Sequence, residues 1–261
     1  MMRSLYTAAT GMNAQDLNIS VISNNLANVN TTGFKKHRAE FQDLLYQTLR
    51  EAGTPVAEGR TVPVAVQTGH GVRSVATQTI FSQGDYRQTD NPLDIMIEGD
   101  GFFQIQKPDG NIAYTRDGAF KIDGAGTIVN SDGFFLEPQI TVPEGTERVQ
   151  IGMDGTVTAV IGDEIQEIGQ ITTVNFINPA GLKNTGRNLY QETVASGPPV
   201  GPGIPGLEGR GTIQQGYLEM SNVSVADEMI QMIIAQRAYE SNSKAIQTSD
   251  SMLGIATGLK R

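Results

Sequence analysis

Both ends of the chain carry apolar residues at intervals of seven, and this feature constrains the fold more than any other. Each end has a second row three positions further on, with Gln15 as a polar interruption near the N terminus and Ser249 in the row near the C terminus. Two such rows are typical of a helix that packs lengthwise against a second helix. The rows include Leu5, Met12, Ile19 and Leu26 with Ile22 and Val29 near the N terminus, and Val225, Met232, Tyr239, Ile246 and Leu253 near the C terminus. The pattern predicts that two terminal helices pair as an antiparallel coiled coil. An ordinary amphipathic helix that covers a domain core is the alternative.

The middle of the chain has the signature of β hairpins. The dipeptide Asp-Gly recurs six times between residues 100 and 155, and it favours tight turns because glycine adopts positive φ without strain. Short runs of strand-forming residues lie between these turns, as in a β sandwich or barrel. The sequence therefore predicts an α+β fold. Its expected parts are a helical domain from residues 1–34 and 222–261, a connecting arm over 35–75 and a β-rich domain over 76–221.

Composition excludes several classes of function. The 261 residues include no cysteine, which excludes disulfides, thiolate metal sites and cysteine nucleophiles. The formal net charge is −9 and the acidic excess lies between two nearly neutral ends, which argues against a nucleic-acid partner. No apolar run is long enough to span a membrane, and the first residues lack the features of a cleaved signal peptide.

No sequence pattern indicates a catalytic, cofactor-binding or metal site. The two histidines, His37 and His70, lack the spacing of metal ligands. The glycines around His70 and Asp100 do not continue as a phosphate-binding loop. A hydrolytic pair of carboxylates stays open as an alternative, although most acidic residues of the middle zone are expected in turns or on solvated faces. We therefore expect no enzymatic activity, no cofactor and no metal.

Three segments, in order along the chain, resemble the rod and hook proteins that form the axis of the bacterial flagellum. The stretch SNNLANVNTTGFKK at 23–36 resembles the N-terminal signature of that family. Residues 217–253, which contain AQRAYE, resemble its C-terminal signature, and residues 100–136, which begin DGFFQIQ, are similar to its β core. The resemblance implies a structural subunit that self-assembles into a helical polymer.

The resemblance also implies a place within the flagellum. The chain is shorter than hook proteins, which carry an extra outer domain, and its first residues together with 40–53 favour a subunit of the distal rod. A proximal-rod subunit of nearly equal length is one alternative, and a peptidoglycan hydrolase or binding module is another. The implied partners are copies of the same chain, adjacent rod and hook proteins, the basal-body rings and the flagellar type III export apparatus. The implied location is the rod that crosses the periplasm, reached without a cleaved signal peptide.

Two further segments are predicted to serve assembly. The first is an amide cluster that can contact neighbouring subunits without burying a charge, with local capping as the alternative: Asn24, Asn25, Asn28 and Asn30. After it, Gly33 suits a left-handed position just past the helix, with Phe34 folded back on the last turn. The second is an apolar stripe on an arm expected to clamp a neighbouring subunit and stiffen the polymer, with a mobile loop as the alternative: Phe41, Leu44, Leu45 and Leu49.

Overall fold

The computed structural model describes residues 2–53, 55–57, 60–61, 63–162, 164–207 and 209–258, and it has a long helix at each end. Helix α1 spans Met2–Ala27 and helix α2 spans Val225–Gly258. The described residues between them form short strands, turns and a 3-10 turn at Pro179–Gly181. The predicted α+β class is confirmed. In the described part of the chain, neither helix has the length and apolar character that a membrane span requires.

Contacts between residues divide the chain into two compact units. Unit 1 contains Met1–Leu26, His37–Gln78 and Ser224–Arg261, so both helices belong to it. Unit 2 contains Ala27–Lys36 and Thr79–Val223. The predicted domain boundary at residue 34 falls inside the first segment of unit 2, and residues 259–261 of the predicted helical domain lie outside the described residues.

In unit 1, a segment after α1 forms nested strand pairs, and we call its residues 37–78 the arm. Strand β1 (His37–Asp43) pairs with β6 (Val72–Thr79), β2 (Tyr46–Arg50) with β5 (Val66–Gly69), and β3 (Pro55–Ala57) with β4 (Arg60–Thr61). The base of the arm packs closely on α1. A Cβ atom on Gly71, whose φ is +114°, would lie 2.2 Å from Oγ1 of Thr10. Glycine at this position therefore permits the contact.

Unit 2 is built on a nine-stranded sheet whose described pairs are antiparallel. Along the sheet lie β11 (Lys121–Ile122), β12 (Ile128–Val129), β13 (Phe135–Glu137), β9 (Phe102–Gln106), β10 (Ile112–Thr115), β19 (Leu189–Gln191) and β18 (Lys183–Asn184), with β17 (Thr173–Asn175) between β9 and β20 (Val200–Gly203). Smaller sheets are β14 (Arg148–Ile151), β15 (Thr156–Ile161) and β16 (Glu164–Gln170); β8 (Ile95–Glu98) and β21 (Thr212–Gln215); and β7 (Tyr86–Gln88) and β22 (Tyr217–Glu219).

The core of unit 2 consists of two apolar clusters. The larger one is mostly aliphatic and includes Ile95, Ile97, Phe103, Ile105, Phe120, Leu136, Ile171 and Ile213. The smaller one is mostly aromatic and includes Phe102, Tyr114, Phe176 and Tyr190. Its rings meet edge to face, with centroids 4.8 Å apart for Tyr114 and Phe176, which is a favoured arrangement of aromatic side chains.

The sequence predicts the end of α1 incorrectly. The helix ends at Ala27 rather than near residue 34, because the next residues form a turn in which Thr31 donates its N–H to the carbonyl of Asn28 at 3.1 Å. Gly33 has the predicted positive φ, +66°, but it lies well past the helix. A Cβ atom there would lie 2.6 Å from the backbone nitrogen of Asp117. Close packing inside unit 2, and not a helix cap, therefore requires this glycine, and the neighbouring Phe34 is buried.

Candidate assembly surface

The two terminal helices contact each other inside unit 1, and the contacts run antiparallel. As residue numbers rise along α1, the numbers of their partners on α2 fall. The contacting pairs are Ser4 with Ser249, Gly11 with Asn242, and Asn25 with Glu228. The side of α2 towards α1 is the less exposed one, and its buried or half-buried residues lie three or four positions apart: Glu228, Met232, Ala235, Ala238, Asn242, Ile246, Ser249 and Leu253.

The predicted apolar rows lie on or beside this contact. On α1, Ile22 is buried, whereas Leu5, Met12, Ile19 and Leu26 are half-buried. Val29 lies past the end of α1, in the turn that belongs to unit 2. Ser4, Gly11 and Asn25 contact α2 and form a row that lies one position before the predicted row of Leu5, Met12 and Leu26. On α2, Met232, Ile246 and Leu253 are half-buried, and Val225 and Tyr239 are more exposed. The sequence missed this shift because the facing row is made of small and polar residues.

The opposite side of α2 exposes a group of large apolar side chains, which we call the outer apolar face. Each of these residues is more than half exposed: Met229, Ile230, Ile233 and Ile234. Their i, i+4 spacing places them on one side of the helix, away from Glu228, Met232 and Ala235. Hydrophobic periodicity does not reveal this face, because α2 is apolar on more than one side and therefore lacks a single apolar stripe.

The side chain of Asn25 forms its hydrogen bonds within its own subunit. It therefore does not contact a neighbouring subunit as predicted for the amide cluster. Only 2% of it is exposed. Its Nδ2 donates to the carbonyl of His37 at 2.8 Å and to Oε2 of Glu228 at 3.2 Å, and its Oδ1 accepts the N–H of His37 at 2.9 Å. Because a buried amide needs partners for both its donor and its acceptor, Asn25 joins α1, β1 and α2.

The other three amides lie in different surroundings. Asn28 belongs to the turn after α1, where its Oδ1 accepts the hydroxyl of Thr31 at 3.2 Å. Asn24 and Asn30 are exposed. The predicted cluster therefore contains one buried amide that links three elements (Asn25), one turn residue (Asn28) and two surface amides.

The predicted stripe on the arm is mostly exposed. Leu45 is 86% exposed, Leu49 is more than half exposed, and Phe41 is 36% exposed. Leu44 is half-buried and donates its N–H to the carbonyl of Gly71 at 2.8 Å. Further exposed apolar residues of the arm are Tyr46, Val64, Val66 and Val75. A two-stranded ribbon with this much exposed apolar surface is marginal on its own.

Unit 2 holds a buried charged cluster that sequence reasoning did not find. Lys35 is fully buried, and its Nζ donates to the carboxylate of Glu219 and, at 2.8 Å, to the carbonyl of Ser82. The other carboxylate oxygen lies 3.5 Å from Nη1 of Arg116. Burial lowers the pKa of Lys35, and Glu219 acts in the opposite direction. A Lys-Lys pair next to a turn gives no signal of burial, because such pairs are usually solvated.

The described residues contain no group of three or more His, Asp or Glu side chains arranged to hold a metal ion. Unit 1 exposes large apolar side chains on α2 and on the arm, including Met229, Ile233, Leu45 and Leu49.

Comparisons with known proteins agree with this arrangement. A model described as flagella basal body rod protein matches residues 5–35, one described as flagellar hook protein FlgE/F/G D1 domain matches 96–159, and one described as flagellar basal body rod FlgEFG protein C-terminal matches 214–259. These ranges contain most of α1, the centre of unit 2 and α2.

Relatives that align over their full length are also flagellar basal-body rod proteins. The chain is 56% identical over 265 residues to the flagellar basal-body rod protein FlgG of Borreliella burgdorferi, with 100% of each chain covered. It is 46% identical over 264 residues to the protein of that name in Caulobacter vibrioides, with 99% of this chain and 100% of the relative covered. The protein of that name in Bacillus subtilis is 42% identical over 268 residues, again with 100% of each chain covered. The chain therefore belongs to the flagellar basal-body rod protein family, and it is a structural subunit of the rod.

Proposed function

We propose that this rod subunit self-assembles into the distal part of the rod, and that the polymer is a rigid drive shaft that transmits torque to the hook. The observation that carries the proposal is the outer apolar face of α2. Contiguous apolar patches on a protein surface mark interaction sites. In a polymer of one chain the available partners are further copies. A patch that meets a different surface of the next copy makes a heterologous contact, which generates an open helical assembly.

The terminal helices are proposed to line the tube as an antiparallel coiled coil. The antiparallel contacts and the spacing of three or four positions between buried or half-buried residues on α2 support this pairing. With one side of α2 turned towards α1, the outer apolar face stays available to a neighbouring subunit. The half-buried residues at the flanks of the pair, such as Leu5, Met12 and Leu26, would complete the seam between subunits.

The arm is proposed to contact a neighbouring subunit and to keep the polymer straight. Leu45 and Leu49 expose most of their side chains, and contact with a neighbour would remove that apolar surface from water. A curved and flexible polymer requires subunits to slide past one another, and a clamped arm opposes that sliding. The surface amides Asn24 and Asn30 are proposed to add polar contacts between subunits.

The remaining partners and the location follow from the family. We propose that the chain contacts adjacent rod and hook proteins and the surrounding basal-body rings, and that it catalyses no reaction. The flagellar type III export apparatus is proposed to carry it, without a cleaved signal peptide, to the rod that crosses the periplasm. The distal position is supported by similarity over the whole length to proteins named FlgG.

Assembly of the purified full-length chain tests the proposal. We expect the wild-type protein to form straight tubes that pellet on centrifugation and are visible by electron microscopy. Ile233→Asp places a charge on the outer apolar face and should abolish pelleting, because burying an unpaired charge is costly. Gln231→Asp is the matched control, since it adds the same charge to an exposed position of the same helical turn outside that face. Equal assembly of the two variants would contradict the proposal.

A further inference from the structure

The contact between α1 and α2 contains a row of small and polar residues. The members of this row are separated by the same number of positions on both helices. The pairs are Ser4 with Ser249, whose hydroxyl oxygens are 3.4 Å apart, Gly11 with Asn242, and Asn25 with Glu228. The seven positions from Ser4 to Gly11 match the seven from Ser249 back to Asn242. The fourteen positions from Gly11 to Asn25 match the fourteen from Asn242 back to Glu228. All three pairs are therefore consistent with a single antiparallel register of α1 and α2.

Gly11 forms a notch in α1 that the side chain of Asn242 fills. A Cβ atom on Gly11 would lie 2.9 Å from Nδ2 and 3.3 Å from Cγ of Asn242. Gly11 lies inside α1, where glycine is less favourable than alanine because it loses more backbone entropy. The close approach of Asn242 gives glycine at this position a structural reason.

The pair of Asn25 and Glu228 belongs to the same register and also connects the helix pair to strand β1 of the arm. Both residues are buried, and the amide of Asn25 is oriented by its two hydrogen bonds with the backbone of His37 in β1. If α2 slipped by one heptad, Glu228 would move away from Asn25 and leave a buried amide donor without that acceptor. Unsatisfied buried polar groups are penalised strongly.

The apolar positions do not distinguish one alignment from another. Ala8 and Ile22 lie fourteen positions apart on α1, whereas Met232, Tyr239, Ile246 and Leu253 on α2 recur at intervals of seven. A slip by one heptad that brings Ala8 level with Leu253 instead of Ile246, and Ile22 level with Tyr239 instead of Met232, therefore leaves an apolar residue opposite each. A polar residue at a single position of such a seam, by contrast, can specify register at some cost in stability.

We propose that this polar row sets the register of the terminal helix pair, with Asn242 in the Gly11 notch and Glu228 on Asn25 as the positioning residues. The apolar positions hold the helices together, and the polar row selects the antiparallel alignment in which they do so. The proposal concerns the single subunit, so it stands or falls independently of polymer formation. In a polymer, a fixed register would give the outer apolar face of α2 the same position along α1 in every subunit.

Engineered disulfides measure the register, since the chain has no cysteine of its own. Full-length Ser4→Cys/Ser249→Cys reports the observed alignment, because the two positions are close enough for a bridge. Ser4→Cys/Ala256→Cys reports a slip of one heptad. We expect only the first variant to form a bridge on oxidation, with yields followed by electrophoresis and mass spectrometry.

The Asn242→Leu change tests the polar row. In this background the yield of the slipped bridge should rise by about tenfold or more relative to the native bridge, with helix content by circular dichroism unchanged. Gln247→Leu, an exposed change on the same helix, should leave the native bridge dominant. Retention of the native bridge alone in Asn242→Leu would overturn the proposal. Loss of both bridges together with helix content would also overturn it, because the apolar positions are held to keep the helices paired.

Discussion

Replacing Glu219 with glutamine is expected to destabilise unit 2 more than replacing its partner Lys35 with methionine. Glu219 is the one acidic residue in the buried cluster of the described structure, where its carboxylate faces both Lys35 and Arg116. It also accepts the N–H of Gly84 at 3.1 Å. Glu219→Gln therefore leaves two buried cations with no buried anion, whereas Lys35→Met leaves the pair of Glu219 and Arg116 intact.

The two changes should differ clearly in size. Removing one partner of a buried ion pair costs about 3–5 kcal/mol, because the other charge stays buried and uncompensated. Lys35→Met loses the hydrogen bond to Ser82, but it also removes a cation whose burial is unfavourable, as the lowered pKa of Lys35 shows. We expect roughly 1–2 kcal/mol for this change. Glu219→Gln should therefore lower the free energy of unfolding by about 2 kcal/mol more than Lys35→Met does.

Urea unfolding of the full-length variants measures this difference. Near-ultraviolet circular dichroism of tyrosine reports on unit 2, because Tyr114 and Tyr190 are buried in its aromatic cluster. Glu164→Gln and Lys183→Met are matched controls on exposed strands and should change the free energy of unfolding by less than about 0.5 kcal/mol. Equal losses for Glu219→Gln and Lys35→Met would refute the view that Glu219 holds the two cations together.

Three further changes test other parts of the account. Leu253→Asp, at a half-buried position of α2, should abolish polymers in a pelleting assay while the β signal of unit 2 in circular dichroism persists; normal assembly would contradict the proposed seam. Burial raises the pKa of Tyr114 to about 12, so between pH 10 and 12 unfolding releases a proton and stability should fall as pH rises; a spectrophotometric titration in which Tyr114→Phe removes no late component would contradict this. Deleting residues 50–63 should yield curved polymers by electron microscopy, and unchanged straightness would leave the arm without a mechanical role.

Sequence periodicity was sufficient to predict the helices and the class of the fold. Heptad rows predict a helix at each end, and the structure has α1 and α2 there. Asp-Gly dipeptides predict hairpin turns, and Gly110, Gly133 and Gly155 have the positive φ that such turns use. Gly118 is different, because a Cβ atom there would lie 1.5 Å from the carbonyl oxygen of Ile95. A close approach between distant segments explains this glycine, and local sequence carries no sign of it.

Long-range contacts explain what the sequence did not predict. The buried state of Lys35 depends on Glu219 and Arg116, which lie far along the chain. The facing row of α1 is one residue away from the predicted row because Ser4, Gly11 and Asn25 are small or polar, and hydrophobic periodicity does not detect such residues. The arm strands also escaped prediction, since their alternation of apolar and polar residues is weak and most of their side chains are exposed.

A helical reconstruction of the polymer by cryo-electron microscopy tests the central claim most directly. That claim is that the terminal helices join one subunit to the next. We expect a neighbouring copy in the tube to cover four side chains that are exposed in the single subunit: Met229, Ile230, Ile233 and Ile234. A polymer in which these four side chains face solvent, with the subunits joined through other surfaces, would contradict it.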